Sequence, residues 1–228
     1  MCEQAARCVT PWYRTSCART AATPRECCGV HLLLVAGFLG SGKTTLIIRL
    51  AQVASRNGSR VAVVVNEIGE IGIDDQVTRQ VGLNVWELLG GCICCTLSGD
   101  LVKTLESLDA DYAPDLAIVE ASGAANPRTV LSALPYYRGR PLDSMRTLTV
   151  VDPLRLRMLL ETLTPLVTSQ IEQADIVVVN KIDLASAEET EAARQAVVGV
   201  NPRARVHCLT MRSELGATLL AEVLPWLN

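Results

Sequence analysis

Residues 37–44 read Gly37-Phe38-Leu39-Gly40-Ser41-Gly42-Lys43-Thr44, a match to G-x-x-x-x-G-K-[ST]. An apolar run, Val30 to Ala36, precedes it, and Thr44 to Ser55 follows with apolar residues at helical spacing. That strand–loop–helix context is what the chemistry requires. Glycines let backbone N–H groups turn inward around phosphate oxygens, and the helix adds its N-terminal dipole. In this reading Gly37, Gly40, Ser41 and Gly42 form the cradle, and Lys43 reaches the β- and γ-phosphates. The Thr44 hydroxyl holds Mg²⁺, and Thr45 faces the α-phosphate. A chance match in a chain of this length is expected below roughly 1%.

Working outward, short β-branched runs alternate with helical patterns. Strands are predicted over Val30 to Ala36, Arg60 to Val65, Asn84 to Leu89, Leu116 to Glu120, Arg146 to Val151, Ile176 to Asn180 and Arg205 to Leu209. Helices are predicted over Thr44 to Ser55, Asp100 to Leu108, Pro127 to Leu134, Ser186 to Val198 and Leu215 to Leu227. Strands apolar along their whole length are buried on both faces, the mark of a parallel sheet covered by helices. The expected fold is therefore α/β and doubly wound, a mostly parallel sheet with helices on both faces. Ligands in such folds bind at the carboxyl ends of strands, so the loops there carry the functional reading.

Asn180-Lys181-Ile182-Asp183 follows the strand IVVVN directly. A carboxylate at Asp183 can accept from the N1–H and exocyclic amine of guanine, an edge adenine does not present. Asn180 can bond the other edge and the Lys181 stem can lie along the ring, which favours GTP. The segment Val65 to Asp74 carries Glu67, Glu70 and two glycines after a strand. It suits a loop that orders around the γ-phosphate and relaxes after hydrolysis; a solvated acidic loop is the alternative. Glu67 or Glu70 could position water or supply a fourth ligand to a metal site. Glu120 stands at a strand end where a carboxylate can sit near Mg²⁺, and the Gly123 N–H could sense the γ-phosphate. His31 and His207 read as packing residues.

Cys92-Ile93-Cys94-Cys95 places three thiols within four residues, after Gly90 and Gly91. Three thiolates suit a soft or borderline divalent ion such as Zn²⁺ or Co²⁺, and three ligands leave a tetrahedral position open. Buried apolar cysteines and a redox pair are the alternatives.

Taken together, GFLGSGKTTL, VNEIGEIGIDDQ, ELLGGCICCTLSGDL, VEASGAANP and NKIDL resemble the CobW-type P-loop GTPases, relatives of HypB and UreG, over about residues 30 to 227. The resemblance implies a P-loop NTPase fold and a GTPase that delivers zinc or cobalt. It implies Cys92, Cys94 and Cys95 as the metal thiols and a client metalloenzyme or maturation protein as partner. It is also compatible with a homodimer across the nucleotide face. Two departures stand out. Typical members continue into a second α/β domain, expected here to be absent. The loop after the last strand reads Thr210-Met211-Arg212-Ser213 in place of a small Ser-Ala pair, so the back of the guanine pocket is expected to differ.

The composition is consistent with this. The chain has 228 residues, a net charge of −3 and 49% hydrophobic residues, which excludes a disordered chain or a highly basic nucleic-acid binder. Its longest apolar run is about eleven residues against the roughly 20 that a membrane span needs. Nine cysteines, an odd number without a disulfide-scaffold spacing, point to a reduced, cytoplasmic protein. Residues 1–28 hold four arginines against two glutamates and five cysteines without a C-x-x-C pair. They are expected to be a poorly ordered tail, with residues 29–228 forming the nucleotide-binding domain.

The leading expectation is a GTP-hydrolysing metal carrier serving metalloenzyme or cobalamin-related delivery. Its cofactors would be GTP, Mg²⁺ and Zn²⁺ or Co²⁺. Turnover is expected to be slow, since no arginine finger is evident. The alternative is a nucleotide-switched docking module for a maturation partner, without metal transfer. A small-molecule kinase is disfavoured by the Asn180/Asp183 pair.

Overall fold

The computed structural model describes residues 29–65, 84–87, 97–123 and 126–227. The described strands are β1 (Val30–Gly37), β2 (Val61–Val65), β3 (Asn84–Glu87), β4 (Leu116–Glu120), β5 (Leu142–Val151), β6 (Ile176–Val179) and β7 (Arg205–Cys208). The helices are α1 (Lys43–Arg56), α2 (Leu97–Tyr112), α3 (Pro127–Ala133), α4 (Pro153–Thr162), α5 (Thr164–Glu172), α6 (Ala187–Val200) and α7 (Ala217–Val223). The seven strands form one sheet in the order β3-β2-β4-β1-β5-β6-β7, and every pairing is parallel.

Every residue of β2 and β6 is buried, as the unbroken apolar runs predict. Successive side chains alternate between two covered faces. On one, Leu33 and Val35 of β1, with Val63 of β2 and Ile118 of β4, pack on Leu46, Ile47 and Leu50 of α1 and on Leu219 and Val223 of α7. On the other, Leu34, Val64 and Val119 meet Leu101, Leu105 and Leu108 of α2. Val177 and Val179 on that side meet α4, α5 and α6. The predicted doubly wound class is what the chain adopts. Among the described residues, no helix is long and apolar enough to cross a membrane.

Strand β5 starts four residues before the predicted Arg146, at Leu142, and three helical stretches also differ from the sequence reading. Residues 153–172 received no element, yet form α4 and α5. Asp152 accepts from the Leu154 N–H at 3.0 Å as N-cap, with Pro153 in the first turn. That is a start signal, but Leu154 and Met158 are exposed and blur the apolar periodicity. The terminal helix stops at Val223 and continues only as a 3₁₀ turn over Pro225–Leu227, because Pro225 lacks an N–H and cannot continue an α-helix. The helix predicted over Asp100 to Leu108 extends to Leu97–Tyr112.

β1 lies between β4 and β5, with connections running outward on either side, so its carboxyl end is the crevice at which doubly wound sheets bind ligands. Leu50, fully buried, anchors α1 beneath that crevice. Leu50→Ala should lower unfolding stability by about 2–5 kcal/mol in urea titrations. A loss under about 1 kcal/mol would contradict the packing described.

Candidate functional site

A cavity of about 570 Å³ opens at the carboxyl end of the sheet. Its walls include Gly40, Gly42, Lys43, Thr44, Thr45, Glu120 and Gly123 at one end and Asn180, Lys181 and Asp183 at the other. These residues come from the ends of β1, β4 and β6, so the fold brings together positions 140 residues apart in sequence.

The phosphate loop is shaped by steric necessity. Gly42 has φ +106°, and a Cβ there would lie 2.3 Å from Asn180 Nδ2. Gly37 has φ +135°, and a Cβ there would lie 2.2 Å from the Val150 carbonyl. Gly37 therefore packs on β5 and is not among the lining residues. At the N-cap of α1, Gly42 offers no side-chain hydrogen bond, so an anion is the natural partner for the first-turn amides. Lys43 is buried, its Nζ 3.9 Å from Glu120 Oε1. A Cβ on Gly123 would stand 3.0 Å from the Leu39 nitrogen, so that glycine lies against the loop's outer turn.

Ser41 contributes framework. Its carbonyl accepts from Asn180 Nδ2 at 2.8 Å, and its hydroxyl is buried behind the loop. Asn180 Oδ1 in turn accepts from the Met211 N–H at 3.0 Å. The buried amide thus clamps the phosphate loop to the loop after β7. Lys181 has φ +66°, a left-handed conformation costing on the order of 1 kcal/mol for a non-glycine residue. Its ammonium donates to Asp152 Oδ2 at 2.9 Å. The Thr210 hydroxyl bond first, then a backbone N–H bond and the charges of Arg212 and Lys181, together outweigh desolvation and hold the Asp183 carboxyl below its usual range. That carboxylate stays ionised at neutral pH.

Several contributors went unread in the sequence. Arg155 of α4 donates to the Leu39 carbonyl at 2.9 Å and lies 5.8 Å over the Phe38 ring, bracing the loop from outside. Asp152 and Arg155 sit in and just after the turn between β5 and α4, at the same carboxyl edge, and that position was the available signal. His31 stacks on Trp226 with ring centroids 3.7 Å apart, and His207 bonds Glu222 at 2.8 Å. Neither histidine lines the cavity. Glu67, Glu70, Cys92, Cys94 and Cys95 lie outside the described residues. Among the described residues, no group of three metal-ligating side chains converges.

Comparisons with known proteins agree with this geometry. A family model described as CobW/HypB/UreG, nucleotide-binding domain, matches residues 31–208. The zinc chaperone CobW of Sinorhizobium sp is 32% identical over 216 residues, taking in 82% of this chain and 60% of that protein. The zinc-regulated GTPase metalloprotein activator 1 of Schizosaccharomyces pombe is 32% identical over 188 residues, 78% of this chain and 45% of its own. The chain thus spans about half the length of these relatives. Among solved structures, Zn(II)-bound YjiA GTPase from E. coli superposes with a TM-score of 0.63 at 24% identity, covering 86% of this chain and 62% of that one, a likeness of fold.

Gly42→Ala should weaken nucleotide binding by about 10- to 100-fold, since the bound loop must hold a backbone conformation an alanine resists. Equilibrium titration with a fluorescent nucleotide measures this. Unchanged affinity would show that the loop does not need that conformation.

Proposed function

This chain belongs to the CobW/HypB/UreG nucleotide-binding family, and from that premise we propose that it is a GTP-hydrolysing zinc carrier whose nucleotide state sets its grip on the metal. The observation that carries the reading is one cavity bringing Lys43, Thr44 and Glu120 together with Asn180, Lys181 and Asp183. A phosphate end and a base end thereby line one cavity of about 570 Å³.

Each residue has a role in the proposal. Backbone amides around Gly40, Gly42 and Thr45 cradle the phosphates, and Lys43 stabilises charge on the transferring phosphoryl group. Its neighbour Glu120, 3.9 Å away, helps hold the ammonium in place. Thr44 and Glu120 offer hard oxygen donors beside Lys43, a set that fits Mg²⁺; Mg²⁺ bound there would supply charge neutralisation at the β- and γ-oxygens. Asp183 reads the guanine edge and the Lys181 stem lies along the ring. Asn180 holds both ends of the pocket in register.

Zinc is the cargo. The relatives' names support that metal, and Cys92, Cys94 and Cys95 supply three thiolates with one position open for handing it on. Cobalt is the second ion such a set accepts. β2 and β3 pair in parallel and end together at Val65 and Glu87, on the carboxyl edge that also bears the phosphate loop. The chain therefore leaves β2 and β3 at the same edge of the sheet as the loop after β1, with β4 between β2 and β1. That shared origin supports coupling through Glu67. The client is a metalloenzyme or its maturation factor.

The test is zinc affinity of the full chain, by competition with a chromophoric chelator, in a non-hydrolysable GTP analogue and in GDP. The two affinities should differ by about tenfold or more. A Cys92/Cys94/Cys95→Ser triple variant should lose zinc while still binding GTP. Equal zinc affinities in the two nucleotides would refute coupling. Zinc retained by the triple variant would remove the thiols from the proposal.

A further inference from the structure

The loop after β7 closes the base end of the cavity with Thr210, Met211 and Arg212. Met211 is buried and pinned through its N–H to Asn180, so the next side chain springs from a fixed point. The Arg212 N–H donates to Thr210 Oγ1 at 3.2 Å. From there the guanidinium reaches across the cavity mouth, and Arg212 Nη1 stands 3.2 Å from Asp183 Oδ2. The arginine side chain is 77% exposed and the aspartate 25%, so this is a solvent-facing cation on a partly sheltered carboxylate.

The chemistry of the pair is specific. A guanidinium can present a planar fork of N–H donors to a carboxylate; here one nitrogen, Nη1, faces one oxygen, Oδ2, as an ion pair. The N1–H and 2-amino group of guanine present a similar fork to the same two oxygens. Adenine has no such pair of donors. Lys181 also bears on Asp183, but its ammonium is engaged by Asp152. Arg212 is therefore the cation positioned to take the place of the base edge.

We infer that Arg212 is an internal competitor for the base-reading carboxylate, a surrogate for the guanine edge that a guanine nucleotide must displace from Asp183. The inference rests on the guanine reading of this pocket proposed above. Its consequence is a tuned, weakened grip: as the base lifts away, Arg212 recaptures Asp183 and favours release of GDP, which a carrier needs in order to reset. The effect is modest because an exposed ion pair is weak. It is also selective, since a nucleotide that does not use Asp183 leaves the pair intact.

The experiment titrates the full chain with N-methylanthraniloyl-GDP and the matching ADP probe, in wild type, Arg212→Ala and Arg212→Lys, at low salt and at 1 M salt. Arg212→Ala should tighten the GDP probe by about two- to fivefold at low salt and leave the ADP probe unchanged. Arg212→Lys, which keeps the charge but loses the fork, should fall between. At 1 M salt, where charges are screened beyond about 3 Å, wild type and alanine variant should converge. Weaker or unchanged GDP binding in Arg212→Ala overturns the inference, as does an equal change for both probes. A wild type that binds the ADP probe but not the GDP probe overturns the guanine reading and this inference together.

Discussion

A single buried carboxamide holds the site together. Asn180 donates to the Ser41 carbonyl and accepts from the Met211 N–H, so the phosphate loop and the loop behind the base cannot move independently. A buried amide left unpaired costs about 1–3 kcal/mol, and both bonds are therefore retained wherever the pocket is intact. The clamp also dictates its neighbours. Only a glycine fits at position 42, because any Cβ would collide with the Asn180 side chain. The next residue, Lys181, takes a left-handed conformation with φ +66°. That turn sends the lysine toward Asp152 and sets Asp183 at the cavity mouth.

The rest of the sheet's carboxyl edge is organised around this clamp. Asp152 caps α4 and holds Lys181, while Arg155, three residues on, braces Leu39. One helix start therefore touches both ends of the pocket. On the opposite side of β1, β4 delivers Glu120 to Lys43. Beyond β4, β2 and β3 finish side by side at the same edge. A nucleotide-driven change transmitted along that edge needs to cross only neighbouring strands, which lie roughly 5 Å apart.

Much of the architecture was legible because parallel sheets write a strong pattern. Runs such as RVAVVV and IVVVN suit strands between two helical layers, and β2 and β6 are buried along their whole length. Gly42, Lys43, Thr44 and the 180–183 segment are legible for a related reason: in the proposed pocket, phosphate and base contacts demand fixed residue types at fixed spacing. What escaped the sequence is what tertiary pairing decides. α4 exposes Leu154 and Met158, so its apolar face does not stand out. Asp152 with Lys181, and Arg212 with Asp183, are partners 29 residues apart that no local pattern links. Gly37 looks like a phosphate ligand in the motif, yet its missing side chain makes room for the Val150 carbonyl. The thiols were legible as chemistry only, and their arrangement lies outside the described residues.

Coupling between nucleotide turnover and metal release is the claim on which the functional account stands. It is tested most directly by following zinc and phosphate together in one turnover. Zinc-loaded protein is mixed with GTP and Mg²⁺, with a fluorescent zinc chelator and a phosphate sensor read in parallel. The account predicts that zinc appears with or just after phosphate, at the same rate, and that a non-hydrolysable analogue holds the metal in place. Zinc retained through complete hydrolysis, or lost equally fast with the analogue, would contradict it.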